Sequence, residues 1–301
     1  MLRLQAQGRK ASRRGCTLRL SQAVALAALL ATTTHARAGD RLLASGGVTE
    51  IEGSGGGGLT PWALIAGLGT NREVGASADC TRVKPQNYEL SSCALAVGID
   101  NRVELSLARQ NFSLGDVVPG SSISQTIVGA KLRLWGDAVI DQDRWWPQVA
   151  LGLQYKKNSD FDFIPRTIGA RSDHGIDTYL SATKLYLAGP FGRSWLVDLT
   201  LRATRANQFG ILGFGGDRDD GYKLEGEGSI AMFLTDNLAL GGEYRQKPNN
   251  LSAFREDDAH DIFMSWFVSK NFSVTGAYVD LGNIATHPEQ RGWYLALQAA
   301  L

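Results

Sequence analysis

Over residues 146–157 apolar and polar side chains alternate one for one, with Val149, Leu151, Leu153 and Tyr155 set against Gln148, Ala150, Gly152, Gln154 and Lys156. Successive side chains of a β-strand point to opposite faces, so a period of two predicts a strand with one apolar and one polar face. Residues 194–205 repeat the pattern, opposing Val197, Leu199, Leu201 and Ala203 to Asp198, Thr200, Arg202 and Thr204. In 222–234 Leu224, Ile230, Met232 and Leu234 oppose Lys223, Glu225, Glu227 and Ser229. In 238–247 Leu238, Leu240 and Tyr244 oppose Glu243, Arg245 and Lys247. Read throughout, the pattern predicts strands at 41–52, 60–70, 73–83, 87–98, 102–112, 123–135, 146–157, 175–188, 194–205, 222–234, 238–247, 259–269, 272–281 and 292–301. Most have the ~9–11 residues that a tilted strand needs to cross a bilayer.

The connections alternate in kind. Asp100-Asn101, 188–193, Thr235-Asp236-Asn237 and Ser269-Lys270-Asn271 are short, and 137–144 is a longer member of that set. Between them fall the longer, more charged stretches 113–122, 158–174, 206–221, 248–258 and 282–291. Short turns at one end and long loops at the other mark an all-β, transmembrane, antiparallel up-and-down β-barrel. Fourteen strands are expected, or twelve if the first hairpin folds elsewhere. Trp135, Trp145, Trp146, Trp195 and Trp266 lie beside short turns, while Tyr155, Tyr222, Tyr244 and Trp293 lie near the long loops. Amphipathic rings favour the level where hydrocarbon meets headgroup, so two such sets predict girdles. A soluble sandwich could also alternate, but it explains neither the girdles nor the two kinds of turn.

Residues 1–38 read as a signal peptide, with a basic start, an apolar run from Ala23 to Ala31 and the small-x-small site Ala36-Arg37-Ala38. Removing that segment changes the charge. It carries seven Lys/Arg and no Asp/Glu out of totals of 31 and 30, so the remainder has net charge −6. An acidic chain with no basic block argues against nucleic-acid binding. The expected organisation is a signal peptide (1–38), a Gly-rich segment serving as first strand or plug (39–58) and a barrel (59–301), placed in the bacterial outer membrane.

The segments Gly53 to Ala63 (GSGGGGLTPWA), Val103 to Ser106 with Ala108 to Gln110, and Ala203 to Gly215 (ATRANQFGILGFG) resemble a domain-of-unknown-function family of proteobacterial outer-membrane proteins. The resemblance covers nearly all of the chain after the signal. It implies a β-barrel and assigns no functional residue.

Candidate chemistry lies on the polar faces. Lys131, Arg133, Lys156, Lys184, Asp198, Arg202, Glu225, Glu227, Glu243 and Arg245 are the expected pore-lining residues, with Glu104 and Asp261 among the further acidic members. Opposed charges around a water-filled lumen set a transverse field that filters solutes. Paired within a narrow interior, the same charges would close it. Cys80 and Cys93 flank the turn at Pro85–Tyr88 symmetrically and are expected to form a disulfide in an oxidising compartment. Gly53, Gly55 and Gly58 match a dinucleotide-fingerprint spacing, but no helix or parallel unit follows, so no cofactor is expected. Ser172-Asp173-His174 holds triad residue types without triad geometry, and no catalytic residue or metal ligand is assigned.

The leading functional expectation is passive passage of small solutes. A non-conducting structural or surface-binding barrel and a lipid hydrolase acting at the rim are the alternatives. The expected partners are outer-membrane lipid and lipopolysaccharide, the barrel-assembly machinery and small solutes.

Overall fold

The computed structural model describes residues 47–301. The expected signal peptide, and the first residues of the expected 39–58 segment and 41–52 strand, lie outside them. Two short strands, β1 (Val48–Thr49) and β2 (Gly55–Gly56), pair with each other. Twelve longer ones form a closed antiparallel wall: β3 (Val74–Pro85), β4 (Glu89–Ile99), β5 (Val103–Ser113), β6 (Ser122–Trp135), β7 (Gln148–Asn158), β8 (His174–Tyr186), β9 (Trp195–Thr204), β10 (Lys223–Thr235), β11 (Leu238–Arg245), β12 (Ala259–Ser269), β13 (Phe272–Asp280) and β14 (Arg291–Ala300). Each strand pairs with its chain neighbours, and β14 closes on β3 through register partners such as Leu297 with Cys80.

Burial follows the predicted alternation. In β7, Gly152, Gln154 and Lys156 are buried inward while Leu151, Leu153 and Tyr155 are exposed outward. The outer surface carries a belt of large hydrophobics, with Leu224 70% and Ile262 68% exposed. Trp135, Trp145, Trp146 and Trp266 are exposed at the short-turn end, and Trp293, Tyr222 and Tyr244 at the long-loop end. Such exposure would be costly in water and is the normal condition of a barrel in lipid. At the turn after β4, Asp100 and Asn101 take φ of 54° and 47°, a left-handed geometry that these two types tolerate best after glycine.

The expected strands at 41–52 and 60–70 are not part of the wall, which has twelve strands. Residues 47–69 instead fold inside the barrel. Their side-chain pattern gives the reason. Only Val48 to Glu52 alternate between glycines at 46–47 and 53, too few residues for the ~9–11 that a wall strand needs to cross a bilayer. Residues 62–68 are apolar on both faces, as expected of a segment buried all round. Glycines at 53 and 55–58, with Pro61, interrupt any ladder between them.

Candidate functional site

A wall of about eight strands fills its interior with its own side chains, so twelve leave a lumen. Here other parts of the same chain occupy it. Residues 47–66 are buried, Glu50, Glu52, Leu59 and Thr60 completely. The wall meets this inserted segment with polar side chains aimed at its backbone. Glu243 of β11 accepts the N–H groups of Gly58 (2.6 Å) and Leu59 (2.7 Å) and the hydroxyl of Thr60 (2.6 Å). Glu104 of β5 accepts the N–H groups of Gly55 (3.1 Å) and Ala66 (2.8 Å). Beside it, the Lys131 ammonium donates to the carbonyls of Gly55 (2.8 Å) and Leu64 (2.7 Å) and pairs with Glu104 at 3.2 Å. Ser181 and Thr200 donate to the Pro61 carbonyl, and Ser92 and Gln110 to that of Ile51.

The glycine run makes this approach possible. A Cβ on Gly57 would fall 1.9 Å from Glu243 Oε1, and Gly53 takes φ of +98° with Ala108 and Ala94 of the wall against it. Glycine alone offers both the space and the left-handed conformation.

At the centre, Glu52 joins three wall cations: Lys156, Arg245 at 2.8 Å and Arg202 at 3.5 Å. Lys156 also pairs with Asp177 at 2.7 Å, and Arg202 and Arg245 both reach Glu227. All are nearly solvent-free, so each ion depends on its partners: leaving one charge unpaired there costs several kcal/mol. Glu50 extends the network by accepting from Gln154 (3.0 Å), which itself accepts from Arg202.

A second inserted stretch lies at the long-loop end. Residues 206–216, between β9 and β10, are buried beneath the rim. Phe209 lies 4.3 Å from the Arg245 guanidinium carbon, a cation–π contact directly above the ion cluster. Gln125 and Asn158 of the wall donate to the carbonyls of Phe209 and Ile211. Glu256, in the next long loop, accepts the Gln208 N–H with both oxygens at 3.0 Å.

Of the expected lining residues, Lys131, Lys156, Arg202, Glu227, Glu243 and Arg245 point inward and meet the inserted segment or its ion network rather than open water. Asp198 accepts the hydroxyls of Thr183 (2.5 Å) and Thr200 (3.1 Å), both of which also bond the insert. Arg133 and Lys184 lie apart, bonded to the 136–141 turn, and Glu225 is half-buried higher on β10. Cys80 and Cys93 are register partners on β3 and β4 with bonded sulfurs, on the outward face of the wall. Ser172 Oγ and Asp173 Oδ1 both approach Nδ1 of His174, at 3.4 and 2.6 Å. Two partners on one ring nitrogen cannot relay a proton through the imidazole. Sequence reasoning did not assign roles to Glu50, Glu52 or the 206–216 insert. The available signal was the set Lys156, Arg202 and Arg245, three inward cations on nearby strands whose shared counter-charge lay elsewhere in the chain.

Residues 45–298 match the family described as "Protein of unknown function (DUF3034)", and the chain belongs to it. No curated protein matches the chain by sequence. Among solved structures it is similar to a KdgM porin, with 13% identity, 74% of this chain and 98% of that one covered, and a TM-score of 0.47. It is also similar to the Acinetobacter baumannii outer membrane protein Omp33 (9% identity, 76% and 97% covered, TM-score 0.43). Outer membrane phospholipase A from Escherichia coli is a further likeness (11% identity, 76% and 91% covered, TM-score 0.41). These are likenesses of fold, and no function is carried across them.

Proposed function

We propose that this chain is a bacterial outer-membrane pore held shut by its own N-terminal segment, opening to small polar solutes when that segment leaves the lumen. The exposed apolar belt between aromatic girdles supports the membrane setting. The polarity of the contact between insert and wall supports the gating. Carboxylates, ammonium groups and hydroxyls of the wall answer the insert's main-chain groups one by one. Each such bond contributes about 0.5–1.5 kcal/mol net between neutral groups and about 1.5–3 kcal/mol where one partner is charged, because water can replace it. An insert held this way can depart and leave a lining whose charged and hydroxyl groups water can solvate, although it also gives up the apolar contacts of Ile51, Leu59, Trp62 and Leu64.

Planar-bilayer recordings of the purified chain and of a variant lacking 47–66 test this reading. The full chain should show rare, brief openings and the shortened one steady conductance. A further variant, Thr49→Cys with Gln298→Cys, would tie the insert to β14 where those side chains now hydrogen-bond at 3.1 Å. Oxidation should abolish the brief openings and reduction restore them. A shortened barrel that folds yet never conducts would overturn the pore and favour a structural, non-conducting barrel.

A further inference from the structure

The outward face of the wall is not equally apolar all round. On β10–β12, Leu224, Tyr222 and Ile262 carry exposed apolar surface up to the long-loop rim. On β3–β7 the upper outward positions are polar or basic instead. One register row runs Cys80, Cys93, Arg109, Thr126, Lys157, His174, and the row above it runs Arg82, Ser91, Asn111, Ser124. Directly below lie Leu95, Leu107, Val128 and Tyr155, the top of the apolar belt. The Arg109 guanidinium donates to Thr126 Oγ1 (2.6 Å) and Ser159 Oγ (3.5 Å), and among the described residues no carboxylate lies within ion-pair distance of it. The same holds for Lys84, Lys157 and Arg171. Nearby carboxylates are already engaged: Glu89 with Arg82 at 2.5 Å, Asp162 with Arg166 at 3.0 Å, Asp173 with His174, and Asp160 with the Ser124 N–H at 2.8 Å. A cleft of about 750 Å³ opens beside this patch, lined by Lys157, Arg166, Arg171 and His174 together with the engaged carboxylates Asp160, Asp162 and Asp173.

We infer that this patch is a docking site for the phosphorylated saccharide headgroup of an outer-leaflet glycolipid such as lipopolysaccharide. The inference rests on the membrane setting proposed above. Cations left without carboxylate partners, at the level where acyl chains end, call for an anion carried by the lipid itself. Arg109 and Lys157 stand two strands apart, about 10 Å, far enough to take separate phosphates. An arginine fork binds phosphate oxygens bidentately, and Ser91, Asn111 and Ser124 offer hydrogen bonds to sugar hydroxyls. The apolar row beneath receives the acyl chains of the same molecule.

Binding of purified lipopolysaccharide to the full chain in detergent micelles tests the site, comparing wild type, Arg109→Gln/Lys157→Gln and the conservative Arg109→Lys/Lys157→Arg. The glutamine pair should bind at least tenfold more weakly. Arg144→Gln at the opposite rim should bind like wild type, and the conservative pair, which keeps both charges but moves the arginine fork to the other position, should bind within about threefold of it. Dephosphorylated glycolipid should bind both wild type and the glutamine pair weakly, and inorganic phosphate should compete only at far higher concentration. Equal binding by wild type and the glutamine pair would overturn the site, as would equal binding of phosphatidylglycerol, which shows only a general anionic attraction. A chain that stays monodisperse without detergent would refute the membrane setting itself. One that needs detergent and ignores the glycolipid refutes this site alone.

Discussion

Glu243 answers three donors of the insert from one carboxylate, which makes it the residue on which closure depends most. Glu243→Ala leaves two backbone N–H groups and a hydroxyl without their acceptor, each costing about 1–3 kcal/mol if no water replaces it. A net loss of about 2 kcal/mol would raise the displaced fraction of the insert roughly thirtyfold. Single-channel open probability should rise accordingly, with the barrel still folded. Gly57→Val should act in the same direction from the other side, because its Cβ would displace the Glu243 carboxylate. If both variants gate as wild type does, Glu243 does not hold the insert.

At the scale of elements, the stretch 206–216 is a lid pinned by Glu256. Burial pushes the Glu256 carboxyl up to about 7 from an ordinary 4.5, against the opposing influence of Lys247 and the Gln208 N–H. A docked lid therefore keeps a proton that a released lid gives up between those two values. Docking is strongest below about pH 4.5 and weakens as pH rises through about 7. Amide exchange at Gln208 and Phe209, corrected for its intrinsic pH dependence, should be slower at pH 5 than at pH 8, and Glu256→Gln should flatten that difference. The twelve wall strands could be read from the sequence because lipid outside and polar groups inside impose a strict period of two, as β7 and β9 show. The inserts could be read only in part. The Gly-rich segment 39–58 allows a plug as well as a first strand, whereas 60–70 reads as a wall strand and 206–216 as part of an ordinary long loop, because a segment surrounded by its own barrel has no lipid-facing side to mark it. Glu50 and Glu52 take their meaning only from Lys156, Arg202 and Arg245, which lie more than a hundred positions away.

Considered as a whole, the molecule has three radial layers. An apolar exterior surrounds a hydrogen-bonded cylinder, and the interior is a filling joined to that cylinder by ions, main-chain bonds and an apolar cluster that includes Ile51, Leu59, Trp62 and Leu64. Charges buried in such an interior are costly unless every partner is present, so the sector from β6 to β11 and the insert are mutually dependent. The exterior adds a second asymmetry, with basic and hydroxyl groups near the rim over β3–β7 and apolar ones over β10–β12.

Leu301 ties the seam of such an object to its contents. The Leu301 carbonyl accepts both Ala76 N–H, at the seam between first and last wall strands, and Leu68 N–H, at the root of the insert. Sealing the ring and seating its contents are thus fastened by one knot. A cylinder stapled shut while empty would have to admit twenty residues through a narrow mouth, so the contents should be wrapped rather than threaded. Pulse proteolysis during refolding should find the 47–66 stretch shielded no later than the seam; a long-lived sealed barrel with that stretch still cleavable would reverse the order.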